Sequence, residues 1–325
     1  MTLPVSDVIN VSISMATINS KASISPDGGD GAIVVGVSLH QIIKQIFANG
    51  EQGFAYDPND LSTMFQDAAG VVPVTAVGQP VGLMLDKSKG LSLSVELNPN
   101  TSLDTLTGWT VGSASTAVVE NSEARVTFGG GLNATAANWF SLTRPYSISK
   151  VYTVSFDATY ISGGKLEAGF GYAVGIVVSN VANGGIRTRY TFTAGGNFNT
   201  NALLVFAASS AGSVWKIDNV SVKEVLGNHA YQTQSAMRPL LAASPQRLDF
   251  DTVDDKLITN LPAQLTGCTV IRSVPNVGTQ ILTGQTIPAT YNDNTDHCGL
   301  IVINRVLTPS ETSAITAEFN KRAGV

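Results

Sequence analysis

Trp139 ends a polar stretch that runs from Asn133 to Asn138, and Tyr146, Tyr160 and Tyr172 follow downstream. An indole or phenol ring offers the apolar face of a sugar ring a platform. A planar amide such as that of Asn138 meets hydroxyls with both donors and an acceptor. Trp139, Asn138, Tyr146, Tyr160 and Tyr172 therefore form the candidate glycan-binding set, with Trp139 foremost because the segment before it reads as a loop. Each ring has a competing use in a core, where it brings ~150–250 Å² of burial. The acidic residues Asp251, Asp254 and Asp255 lie close in sequence and offer oxygens to a hard cation such as calcium, which takes about six to eight of them. The competing reading is a turn. Asn292 to His297 resembles a calcium loop in composition only, because spaced ligands and a closing Glu are missing, so a solvated turn is expected.

No catalytic constellation accompanies these groups. The chain has no G-x-S-x-G elbow, no H-E-x-x-H and no phosphate-binding glycine loop. The strand pattern E-x-D-x-x-E, which would set an acid and a nucleophile on one face, is also missing; Glu120 and Glu123 flank Asn121-Ser122, a turn. The expectation is a non-enzyme that requires no cofactor. A polysaccharide depolymerase would need carboxylates from distant strands, ~5–9.5 Å apart in a groove.

The elements that position these residues read as mostly β. A length of 325 residues corresponds to roughly two domains. Charged residues make up 13% against 43% hydrophobic, and mean hydropathy is +0.16, enough apolar material for packed cores. Nineteen basic against 24 acidic residues give a net charge of −5, which argues against nucleic acid, where a basic stripe is needed. The longest apolar run, Gly31 to Leu39, falls short of the ~20 residues of a membrane span. No basic region precedes Lys21, so no secretory signal is expected. Cys268 and Cys298 are expected as buried free thiols, a cross-strand pair being the alternative.

Tyr152, Val154, Phe156, Ala158 and Tyr160 alternate with Thr153, Ser155, Asp157 and Thr159, and similar alternation occurs at Ala124-Val126-Phe128, Tyr190-Phe192 and Val220-Val222. Glycine-rich turns at 129–131, 163–164, 183–185 and 195–197 separate these runs, the pattern of a sandwich or barrel. Nearer the N-terminus, Val8 to Ile18 and Ala32 to Val37 read as strands. Leu39, Ile42, Ile43, Ile46 and Phe47 have helical spacing, stopped by Asn49-Gly50. At the other end, Thr308-Pro309-Ser310-Glu311 is a capping box that opens a helix carrying Ile315, Ala317 and Phe319 and ending at Gly324.

Tyr56-Asp57-Pro58-Asn59-Asp60-Leu61, Gln79-Pro80-Val81-Gly82-Leu83-Met84-Leu85-Asp86-Lys87-Ser88, Gly227-Asn228-His229-Ala230, Arg238-Pro239, Phe250-Asp251-Thr252-Val253-Asp254-Asp255 and Asn304-Arg305-Val306-Leu307-Thr308 together resemble concanavalin/laminin-G-like domains of bacteriophage tail and structural proteins. In that family the DKS and GNHA segments adjoin, whereas here ~140 residues separate them, which implies an inserted domain. The resemblance makes His229 structural. It also makes the Asp251–Asp255 motif mainly a turn, with Thr252 where the family has glycine. The insert has its own likeness: Trp109, Arg144-Pro145-Tyr146, Tyr152-Thr153-Val154-Ser155-Phe156 and Trp215-Lys216-Ile217-Asp218-Asn219-Val220-Ser221-Val222 resemble carbohydrate-binding modules of families 4 and 9, which are jelly rolls. This likeness makes Trp109 and Trp215 core residues and implies a structural calcium whose ligands include Asp218; Asp251 and Asp254 are the other calcium candidates. The first dozen residues are faintly similar to the start of phage contractile-tail sheath proteins.

The expected fold is all-β, with two β-sandwiches of jelly-roll and concanavalin-like type, one inserted in the other, a short N-terminal arm and a C-terminal helix. The expected division is residues 1–50 as a virion-attachment arm, 51–90 plus 227–325 as the concanavalin-like domain, and 91–226 as the inserted module. The resemblances imply a phage tail-fibre or receptor-binding protein on the outside of the virion, a homotrimer joined to tail or baseplate proteins through residues 1–50 and recognising host surface polysaccharide. The alternatives are a purely structural decoration or collar protein and, less favoured, a depolymerase.

Overall fold

The structure, a computed structural model, describes residues 37–143, 146–147, 150–171, 173–178, 185–195 and 203–325. The strand expected in 8–18, residues 32–36 of the strand expected in 32–37, the Arg144-Pro145 dipeptide and Tyr172 lie outside the described residues; Val37 is described and is not in a strand. What is described is β-rich, with antiparallel sheets and two α-helices.

Strands from the two ends of the chain share two sheets. A four-stranded sheet runs in the order Gly53–Tyr56, Leu300–Ile303, Leu265–Val274, Gly278–Ile287; a five-stranded sheet runs Met64–Phe65, Leu83–Met84, Ala230–Tyr231, Leu257–Asn260, Thr290–Asp293. Phe54, Tyr56, Met84, Leu257, Leu300 and Val302 meet in the core between them. This unit is called the framework below. Gly53 has φ +140, and a Cβ there would overlap the Val302 carbonyl, so only glycine fits where the chain starts its first strand.

Residues 109–225 build two sheets of their own. One runs Thr188–Ala194, Val151–Ser162, Ser213–Val225, Glu123–Phe128, Thr116–Glu120, and the other Ala173–Val178, Leu166–Phe170, Leu204–Ala208, Phe140–Leu142, Trp109–Val111. The alternation read from sequence holds: Tyr152, Val154, Phe156 and Ala158 are buried while Thr153, Ser155, Asp157 and Thr159 are half-buried. Trp109 stacks on Phe140 at 4.6 Å between ring centres, and Phe156 meets Phe206 edge-on at 5.0 Å. Trp109 and Trp215 both belong to this core.

Helix α1, Leu39–Ile46, starts at Ser38, whose hydroxyl accepts from the Gln41 amide while the Gln41 side chain accepts from Ser38 N. The spacing of Leu39, Ile42, Ile43 and Ile46 forms one apolar face, and that face packs on Ile271, Ile301 and Ile303 and on helix α2, Pro309–Ala323. Residues 39–47, expected in the arm, are thus part of the framework's packing. Helix α2 opens with the expected Thr308/Glu311 box and ends at Gly324, φ +84. Its buried residues are Ile315, Phe319 and Ala323; Ala317 is exposed, because two residues from Ile315 is about 200° around the helix. Arg305 of the NRxLT motif joins the elements by donating to Glu51, to Glu311 and to the Ile46 carbonyl. Cys268 and Cys298 are both buried and free. No helix among the described residues is long and apolar enough to cross a membrane.

Candidate functional site

The two motifs that the insert separates in sequence touch in space. Asp86, fully buried, accepts hydrogen bonds from Ala55 N, Ser88 N, Ser88 Oγ and Asn228 N at 2.7–2.8 Å. The Asp86 amide donates to His229 Nδ1 at 2.9 Å, so the ring proton sits on Nε2, which donates to the Val225 carbonyl. Burial pushes the Asp86 carboxyl up, against the hydrogen bonds it accepts, and holds His229 below the usual histidine range. Gly227 has φ +147, and a Cβ there would meet Asp86 at 3.0 Å. Asn228 donates to the Gly53 carbonyl, and its own carbonyl accepts from Tyr56 Oη at 2.6 Å. DKS and GNHA therefore form a clasp that holds both chain crossings, and His229 is structural. Beyond the clasp the two connections run side by side, with Leu226 N donating to Ser92 O, Ser94 N to Glu224 O and Leu97 N to Val222 O. A small apolar cluster of Leu83, Leu85, Val151 and Val225 closes the seam between insert and framework.

A trough follows this seam. A cavity of about 410 Å³ is lined by Lys89, Lys150, Asn228, Leu261 and Pro262, among others. It shares Lys150, Asn228, Leu261 and Pro262 with a neighbouring cavity of about 290 Å³ that adds Tyr231 and Asn260. On the other side it shares Lys89 with a cavity of about 610 Å³ bordered by His40, Lys44 and Ser92. Tyr231 is half-buried, packed on the seam cluster, and its hydroxyl accepts from Asn260 Nδ2 at 2.7 Å. That contact leaves the phenol proton to donate. The trough thus combines one half-open ring, the apolar edge of Leu261 and Pro262, the amides of Asn228 and Asn260, and lysines, the mix of apolar wall and a few polar groups common in ligand clefts.

Trp139, Asn138, Tyr146 and Tyr160, the sequence-predicted glycan residues among those described, do not line this trough. Trp139 is only 3% exposed and donates from Nε1 to the Leu132 carbonyl at 3.0 Å. With Leu132 it covers Val205 and Ala207, the outward side chains of Leu204–Ala208, so the loop folds over the sheet and leaves no open ring face. Asn138 is buried, with its amide toward the Gly131 carbonyl. Tyr146 is buried among Tyr152 and Phe170. Tyr160 is half-buried against Trp215 and donates to Gly163 O. The expectation that Trp139 and its neighbours form an open platform is corrected: their apolar area is spent on packing.

The calcium candidates differ. Asp218 Oδ2 pairs with Arg187 at 2.5 Å, and the same guanidinium reaches Asp157 and Glu123. One Asp218 oxygen is buried without a hydrogen-bond partner, yet among the described residues Asp218 belongs to no group of three metal-type ligands. Arginine already neutralises this corner, and the donor set does not fit calcium. Asp251, Asp254 and Asp255 bring one ligand atom each within 4.8 Å of one another, and these are the residues that could hold a cation. Asp251 Oδ1 is already engaged by the amides of Val253, Asp254 and Asp255, the expected turn, with Thr252 at φ +63. The 292–297 segment is solvated only in part: Asn292, Asn294 and Thr295 are exposed, but Asp293 and His297 are buried, bonded at 2.7 Å, with Arg272 also on Asp293, because a buried carboxylate requires partners.

Sequence reading missed Tyr231, Asn260 and the role of Asn228. The available signal was the position of Tyr231 two residues beyond His229 in the GNHA motif. No family model matches this chain, and no curated protein matches it. Among solved structures, "CBM4 structure and function" is similar at 14% identity over 41% of this chain and 99% of that one, with a TM-score of 0.29. A CBM22-1 xylan-binding domain from Paenibacillus barcinonensis Xyn10C is similar at 14% identity over 42% and 95%, TM-score 0.28. The CBM22-1-CBM22-2 tandem of the same protein is similar at 10% over 73% and 96%, TM-score 0.31. At these identities and TM-scores the likeness carries nothing about ligand or role.

Proposed function

We propose that this chain is a non-catalytic glycan-recognition protein on the outside of a bacteriophage virion, binding host surface polysaccharide in the seam trough. The observation that carries the binding part is the trough itself, where Tyr231, Asn228, Asn260 and the Leu261-Pro262 edge meet beside a rigid clasp. The virion setting, the trimer and the attachment through the N-terminal arm rest on the sequence resemblances alone. Individual contacts of this kind are weak, and a trimer would multiply them by ~10²–10⁴ through linked sites.

The test is saturation binding of labelled full-length protein to bacterial cells, with and without competing surface polysaccharide. Competition that abolishes binding, together with loss of about tenfold in affinity in Tyr231→Ala, is the expected result. A folded oligomer that binds no cells would favour the second reading, a structural virion component without ligand. The burial of Trp139 and Tyr146 is the observation on that side.

A further inference from the structure

The trough is positive in a negative protein. The chain carries a net charge of −5, yet the charged groups bordering the two larger seam cavities are Lys44, Lys87, Lys89 and Lys150 against one carboxylate, Glu224. Two of these lysines are neutralised within the fold. Lys87 pairs with Asp57 and Asp60 at 3.2 and 2.7 Å, and Lys150 pairs with Glu224 at 3.0 Å. Among the described residues the other two are not paired with acid. Lys89 Nζ donates only to the Glu51 carbonyl, at 3.0 Å, while the Glu51 carboxylate is taken by Arg305. Lys44, exposed on α1, makes no ion pair among the described residues. Lys89 borders both larger cavities, so its charge stands at the middle of the trough, with Lys44 toward one end and Tyr231 and Asn260 toward the other.

Such an arrangement selects for charge as well as for ring shape. Unpaired ammonium groups in a concave, partly desolvated channel hold an anion through charge-assisted hydrogen bonds and concentrate it by long-range attraction. A neutral polymer could offer these lysines only hydroxyl acceptors, without the charge that strengthens the bond. We propose that the seam trough takes an anionic saccharide, its carboxylate or phosphate held by Lys44 and Lys89 while an adjacent sugar ring lies against Tyr231. This inference rests on the glycan reading above and names the ligand class for the same site.

The experiment measures binding of the full-length protein to immobilised polygalacturonate, its carboxyl-reduced neutral form, a teichoic acid and dextran, at low and high salt. The expected result is retention of at least one anionic polymer, weakened by salt. Affinity should fall by about tenfold or more in the Lys44→Gln/Lys89→Gln variant and recover in Lys44→Arg/Lys89→Arg. Whether polygalacturonate or teichoic acid is retained decides between carboxylate and phosphate. Thermal melting checks that both variants fold, which the surface placement of Lys44 and the backbone contact of Lys89 favour. Neutral polymers bound as tightly, without salt dependence, would overturn the anionic assignment and leave the glycan reading standing. Anionic binding that the glutamine variant leaves intact would overturn the placement in this trough. Retention of no polymer, charged or neutral, would overturn the glycan reading together with it.

Discussion

The interior of the insert and the seam beneath it use the same residue types in opposite ways. In the insert, Trp109, Phe140, Phe156, Phe206 and Trp215 stack into one core, and even Trp139, outside that core, is covered by its own loop. At the seam the Tyr231 ring is left half open beside the trough, and polar side chains carry the structure: Asp86 ties three chain segments and Asn228 a fourth contact. A small sandwich draws most of its aromatic area into its own core. The place where the two pairs of sheets meet is held by a few motif residues and leaves concave polar surface beside them. Aromatic content therefore marked the packed region, and the motif residues marked the seam with its trough.

The largest expected effect tests the first half of that contrast. Trp215→Ala should cost about 3–5 kcal/mol, read as a fall in melting temperature, since the side chain is fully buried. A shift within error would mean that the insert core does not depend on its rings. Asp86→Ala leaves four donors unsatisfied and should cost about 3 kcal/mol, with faster amide exchange at Ala55, Ser88 and Asn228 marking a loosened seam. Unchanged exchange there would remove the clasp from the argument. Trp139→Phe should lower stability by about 1 kcal/mol through its lost hydrogen bond and leave glycan binding untouched, the opposite of Tyr231→Ala. Equal binding defects in both would return the site to the insert.

Acid should act on the framework's helix junction. Arg305 holds Glu311 down from its ordinary 4.5 to about 2. The stabilisation from this carboxylate is full above pH 4.5 and is lost as pH falls toward 2, so Glu311→Gln should flatten that limb of the melting-temperature profile. At the small end, Thr252 sits at φ +63 in the turn of the acidic motif. Thr252→Gly should raise stability by up to about 1 kcal/mol; a loss would mean that its side chain, not its backbone, sets the turn.

Much of the fold was legible because its signals are local. Alternation in 152–160 and the Thr308/Glu311 box depend on neighbours a few residues away, and both appear as read. The aromatic site was not legible, because whether Trp139 faces solvent depends on Leu132, Val205 and Ala207, which sequence cannot align with it. Likewise Asn292 to His297 looked solvated until Arg272 arrived from a distant strand to satisfy Asp293.

By itself the sequence determined strand and helix periodicity, the caps, the glycines at the chain crossings and the two split motifs, since each is a constraint between near neighbours or on one residue's backbone. Only the tertiary structure decided which rings are covered, which lysines are left without acid and that DKS and GNHA close on one buried carboxylate. Those outcomes depend on contacts such as Asp86 with Asn228, separated by 142 residues in the chain, and burial and pairing exist only once such distances are closed.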